Sequence, residues 1–92
     1  MKKELINKLD KAMDQLWYTN AKYIIKTLVS KNIEDYNITK LNGIVKNVKE
    51  ATTNDMIDAA DLILILSETY LTEEELIKFI KRATLATKRY YK

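Results

Sequence analysis

The chain has 92 residues, of which 47% are hydrophobic and 32% are charged, and its formal net charge is +3. This length is near the lower limit for a domain that folds alone, and the absence of cysteine excludes disulfides, thiol catalysis and the common zinc sites. The sequence also lacks histidine, so the usual nucleophile–base pairs cannot form, and we expect a protein that is not an enzyme. One glycine and no proline favour long helices joined by short polar turns.

The first predicted helix starts near Lys2 and can run to Ser30, because apolar residues recur there at helical spacing. At 1.5 Å per residue it would be about 40 Å long, so either one end projects or the helix bends. We expect the bend at Tyr18-Thr19-Asn20. A β-hairpin over Trp17–Val29 is the alternative, since Trp, Tyr, Ile and Val favour strands.

Two polar residues, Asn20 and Thr27, lie in the middle of the apolar stripe of this first helix, seven positions apart. A buried amide needs a hydrogen-bond partner. We expect Asn20 to fix the packing register of the helix rather than to bind a ligand.

The second predicted helix follows a turn over residues 30–37, where Asn37 or Glu34-Asp35 can cap its first turn. Its apolar stripe consists of Ile38, Leu41, Ile44, Val45, Val48 and Ala51. Gly43 lies on the polar side of the stripe. A surface glycine without a special role is the favoured interpretation, and close approach of a partner backbone is the alternative.

The third predicted helix contains the longest apolar run of the chain, Met56–Leu66, and follows a cap at residues 52–55. Its apolar arc covers roughly 220° of the helical wheel. The remaining narrow stripe holds Asn54, Asp58, Asp61, Ile65 and Glu68. We therefore predict the most enclosed helix of the fold, packed against both of its neighbours in sequence. A buried strand at Leu62–Leu66 is the alternative.

The fourth predicted helix opens with Leu71-Thr72-Glu73-Glu74-Glu75-Leu76. This pattern predicts a capping box between Thr72 and Glu75 and a hydrophobic staple between Leu71 and Leu76. The buried side is predicted to hold Leu76, Phe79, Ile80, Ala83, Ala86 and Tyr90. The exposed side holds Leu85 and a predicted basic face made of Lys78, Lys81, Arg82, Lys88, Arg89 and Lys92.

Four helices with short links predict an all-α fold, a small antiparallel four-helix bundle formed as one domain by residues 1–92. A short, lysine-rich chain whose third helix is followed by the Leu71–Leu76 pattern resembles, in length, charge and architecture, the pediocin-type bacteriocin immunity proteins. That resemblance implies a four-helix bundle and a role in immunity. It carries no residue role over to this sequence.

Charge is unevenly distributed along the chain and is the main indication of function. Residues 1–49 carry a net +5, residues 50–77 carry −8, and residues 78–92 carry +6. We predict a small interaction protein that binds and inhibits a macromolecular partner, most simply a protein, as immunity proteins and phage or plasmid anti-defence factors do. The predicted contacts are the basic face and an acidic stripe of Asp58, Asp61 and Glu68. The alternative is a nucleic-acid-binding regulator that uses the basic C-terminal helix.

Cofactors and metals are not expected. Asp55, Asp58 and Asp61 share one side of a helix, but a metal site on a helix normally adds histidine and facing carboxylates from other helices. The N-terminus lacks an uninterrupted apolar segment, which predicts a cytoplasmic protein, and the Lys, Ile and Asn bias suggests a bacterial, phage or plasmid source. No membrane span is expected, and a homodimer would explain surplus apolar surface on so short a chain.

Overall fold

The computed structural model describes residues 1–13 and 16–90, together with the backbone but not the side chain of Tyr90. Within these ranges the fold is all-α and contains no strand, so the hairpin at Trp17–Val29 and the strand at Leu62–Leu66 are both wrong. None of the helices in the described ranges is long and apolar enough to cross a bilayer. The helices are α1 (Lys2–Met13), α2 (Trp17–Ser30), α3 (Tyr36–Lys46), a 3₁₀ turn (Val48–Glu50), α4 (Thr53–Tyr70) and α5 (Glu73–Tyr90).

The first predicted helix is two helices, so the described chain has five α-helices and the four-helix prediction is wrong in number. The protein is 32 Å long in its largest dimension. A continuous helix from Lys2 to Ser30 would exceed that length, so one end would leave the core. Instead, α2 begins after Leu16, whose backbone angles of φ −128° and ψ 49° are not helical. The bend predicted at Tyr18-Thr19-Asn20 is wrong because these residues lie inside α2.

The most enclosed helix is α2, not α4 as predicted. It packs against all four other helices, and Ile24 and Leu28 are completely buried. α4 packs against α1, α2 and α3 but makes little contact with α5, which lies mainly on α1. Ile57, which belongs to the apolar run Met56–Leu66, is 55% exposed. Ile65, assigned to the outward stripe, is 57% exposed as predicted.

Three helix starts are fixed by local hydrogen bonds. Asp35 caps α3 by accepting from the Asn37 amide at 2.9 Å. Thr52 and Asp55 form a reciprocal capping box at α4. The predicted box at α5 is confirmed, with the Thr72 amide donating to Glu75 Oε1 at 2.9 Å and the Glu75 amide donating to Thr72 Oγ1 at 3.1 Å. Each box satisfies amides that no helical carbonyl can reach.

The two buried polar side chains among the described residues both bond to their own chain nearby. Asn20 Nδ2 donates to the Leu16 carbonyl at 2.9 Å, and Ser67 Oγ donates to the Ile63 carbonyl at 2.6 Å. The amide of Asn20 thus holds the first turn of α2 just after the break. Each side chain uses its donor within its own helix, which agrees with the structural role expected for Asn20.

Gly43 lies on the exposed side of α3, and a Cβ added there would have no atom within 4 Å. Its position therefore imposes no steric need for glycine. We expect Gly43→Ala to raise the free energy of unfolding by about 0.5–1 kcal/mol, because alanine loses less backbone entropy on folding. Urea unfolding followed by circular dichroism measures this change, and a destabilised variant would contradict it.

Two contacts tie helix ends that are distant in sequence. Tyr70 Oη at the end of α4 donates to Asp35 Oδ2 at the start of α3 at 2.6 Å. Lys31 Nζ, just after α2, lies 2.9 Å from Glu75 Oε1 at the start of α5.

These contacts shift the pKa values of their groups. The bonds from the Tyr70 hydroxyl and the Asn37 amide lower the pKa of Asp35, and the bond to Asp35 raises the pKa of Tyr70. Burial raises the pKa of Glu75, but hydrogen bonds from Thr72 and Lys31 outweigh it, so the net pKa is lowered.

These lowered pKa values predict acid sensitivity. A carboxyl whose pKa is lower in the folded state stabilises the fold above its unfolded pKa, and this contribution is lost as the pH falls through the folded pKa. We expect the free energy of unfolding to decrease from about pH 5 downward. In the double variant Asp35→Asn with Glu75→Gln, both caps keep a polar side chain but lose the titratable carboxyl. The free energy of unfolding of this variant should therefore change less with pH. Urea titrations at several pH values test this, and an unchanged slope would exclude these two residues as its source.

Candidate functional site

The bases of the predicted basic face border two shallow depressions along α5, and Arg82 lines both of them. Arg82 and Arg89 point toward α2, where they line a shallow groove with Thr19 and Tyr23. Lys78 and Lys81 line the second depression, on the outer side of α5, together with Arg82, and Lys88 is exposed. Lys92 lies outside the described residues.

Arg82 is fixed by an aromatic ring of α2. Its guanidinium carbon lies 3.5 Å from the centre of the Tyr23 ring. A planar guanidinium stacks well on an aromatic face, and this contact orients the cation without neutralising it. α2 and α5 thus share a small cationic and aromatic surface.

A further concavity with an apolar base lies between α2 and α3. We call it the α2–α3 groove; its volume is about 450 Å³ and its lining residues are Tyr18, Lys22, Ile25, Lys26, Val29, Asn42, Val45 and Lys46. The floor is aliphatic and the rim is basic. It is open to solvent along its length, so it suits an extended or helical segment rather than an enclosed small molecule.

The rim of the groove carries positive charge only. Lys22, Lys26 and Lys46 are all exposed, and no acidic residue lines the groove in the described part of the chain. The sequences of α2 and α3 contain no Asp or Glu at all. Lys22 Nζ lies 5.3 Å from the centre of the Tyr18 ring, a cation–π contact that holds this lysine at the groove edge. A negatively charged chain would therefore meet three lysines that form no ion pair with any of the described residues.

The predicted acidic stripe lies on α4, a helix that makes little contact with α5. Asp58 is 3.5 Å from Lys40 of α3, while Asp61 and Glu68 are exposed. Asp55, the first member of the Asp55/Asp58/Asp61 series, uses its carboxylate to cap α4 through Thr52. Within residues 1–13 and 16–90, no group of three acidic side chains is arranged to hold a metal ion.

The lysines of α2 and α3 are not among the contact residues predicted from the sequence. One signal could have found them. Between Gln15 and Ile33 the chain has three lysines and no acid, and a solvated helix face ordinarily mixes both signs. The apolar floor was not predictable in the same way, because it combines Val29 of α2 with Val45 of α3.

Comparisons with protein-family models, with curated proteins and with solved structures found no match to this chain. The resemblance to bacteriocin immunity proteins is therefore unsupported beyond a shared helical character, and the five-helix order of the described chain differs from a four-helix bundle.

Proposed function

We propose that this chain is a non-catalytic interaction protein that binds an acidic segment of a protein partner and thereby modulates the partner. The observation that carries the proposal is the α2–α3 groove, with its aliphatic floor and its rim of three lysines. The predicted contacts on α5 become secondary in this proposal, with Arg82 and Arg89 extending the basic surface around Tyr23.

The aliphatic floor favours a protein segment over other anions. Ile25 and Val45 are buried at its base, while Val29 is 46% exposed at its edge. An amphipathic helix places apolar side chains on one face and charges on its flanks, which matches a groove with an apolar base and charged edges. Lysines on the rim steer an acidic segment into the groove and disfavour basic ones.

Nucleic-acid binding is the second candidate function, and the exposed tyrosines favour it. Tyr18 and Tyr23 are each more than one-third exposed beside Lys22 and Arg82. Aromatic side chains next to basic side chains are typical of protein surfaces on which the bases of single-stranded nucleic acid stack. Arg82 already covers one face of Tyr23, however, and the groove floor is aliphatic, so we rank this function below protein binding.

Fluorescence anisotropy separates the two functions. The probes are a labelled amphipathic helical peptide with leucines on one face and glutamates on its flanks, the same peptide with lysines replacing the glutamates, and a short oligothymidine. The proposal expects saturable binding of the acidic peptide and none of the lysine peptide. If the oligothymidine binds and the acidic peptide does not, the nucleic-acid function replaces it, with an affinity that falls steeply with salt.

A further inference from the structure

Two exposed ridges on consecutive helices have the same pattern with opposite charge. The α4 ridge consists of Ile57, Asp61, Ile65 and Glu68. The α5 ridge consists of Ile77, Lys81, Leu85 and Lys88. Each ridge begins with an apolar residue. A charged residue follows four positions later, a second apolar residue eight positions later and a second charged residue eleven positions later. This spacing puts all four side chains of a ridge along one face of its helix.

The apolar members of both ridges are unusually exposed. Ile57 and Ile65 are 55% and 57% exposed, and Ile77 and Leu85 are 41% and 54% exposed. The members of each pair are eight residues apart, about 12 Å along a helix. Apolar side chains on one ridge therefore match those on the other in spacing.

Within one chain the two ridges cannot cover each other. α4 and α5 are joined through Leu71 and Thr72, but α5 lies mainly on α1 and makes little contact with α4. The charged residues next to the ridges also differ in sign. Asp58 lies beside the acidic α4 ridge, and Lys78 lies beside the basic α5 ridge. Glu74 is the one acid that lines the α5 depression in the described structure, and it lies at its N-terminal end.

We propose that the occupant of each ridge is a second copy of this chain, with α4 of one copy packed along α5 of the other. The apolar members of the two ridges then cover one another, and the acidic members face the basic ones. If a two-fold axis relates the two copies, the contact forms twice and the assembly is a closed dimer. If no such axis relates them, each copy contacts a further copy and the assembly is a short head-to-tail oligomer. The ridges lie outside the α2–α3 groove, so this inference does not depend on the proposed function.

Charge-swapped variants test the pairing in solution. One variant carries Asp61→Lys and Glu68→Lys, and the other carries Lys81→Glu and Lys88→Glu. Each variant alone presents like charges on both ridges and should self-associate at least tenfold more weakly than the wild type. An equimolar mixture of the two restores opposite charges at both contacts and should associate again.

Sedimentation equilibrium at low and high salt measures these constants, with the monomer mass of 10.8 kDa as the reference. The matched controls are Glu4→Lys with Asp10→Lys and Lys8→Glu with Lys11→Glu, which change the same net charge at exposed positions of α1. They should associate like the wild type. Circular dichroism checks that every variant keeps its helicity. A wild type that remains monomeric at submillimolar concentration and low salt, or a mixture that fails to associate, would overturn the inference.

Discussion

Replacing Leu28 with alanine is expected to lower the free energy of unfolding by about 2–5 kcal/mol. Leu28 is completely buried in α2, the helix that packs against all four others. Truncation leaves a cavity that several helices would have to move together to close. Small domains have only about 5–15 kcal/mol of stability in total, so the variant should unfold at a much lower urea concentration.

The matched control for this prediction is Ile65→Ala on α4. Ile65 is 57% exposed, so its loss should cost less than about 1 kcal/mol. Ile65→Ala therefore measures the cost of truncating a large apolar side chain that is not buried. A Leu28→Ala variant as stable as Ile65→Ala would show that α2 is not the centre of the core.

Reversing the three lysines of the groove rim is expected to weaken binding of the acidic peptide by about ten- to a hundredfold. Each of Lys22, Lys26 and Lys46 supplies one exposed charge, and contacts of this kind contribute about 0.2–1 kcal/mol. Reversal both removes the attraction and adds repulsion, so three changes together reach about 1.4–3 kcal/mol, where each 1.4 kcal/mol is tenfold. The loss should appear mainly in the association rate and should shrink in high salt.

The control for the lysine reversal is Lys3→Glu with Lys8→Glu and Lys11→Glu. These residues are exposed on α1 and line no part of the groove, yet they change the net charge equally. Their reversal should alter affinity only slightly. Equal losses in both variants would mean that overall charge, and not the α2–α3 groove, attracts the peptide.

The parts of the fold that were predictable are those set by neighbouring residues. The capping box of Thr72 and Glu75 depends on a spacing of three residues, and the same chemistry recurs at Thr52 and Asp55. The α-helical state of the Met56–Leu66 run followed from its length and composition. In each case the physical cause lies within one or two helical turns.

The parts that were not predictable depend on tertiary packing. The apolar arc of α4 indicated burial on several sides, but the location of α5 on α1 left Ile57 exposed. The break before Trp17 also has a global cause, since an unbroken helix would be longer than the 32 Å molecule. The candidate site combines side chains more than fifteen positions apart, such as Val29 and Val45, and periodicity within one helix cannot reveal it.

Chemical-shift mapping of the ¹⁵N-labelled protein with the acidic amphipathic peptide tests the α2–α3 groove most directly. We expect the largest amide shifts on titration in the groove residues of both helices, including Lys22, Val29 and Val45. The amide signals of α1 residues, such as Lys8, should not shift. Saturating peptide that shifts no groove amide, or that shifts only amides of α1 or of the outer side of α5, would contradict this expectation.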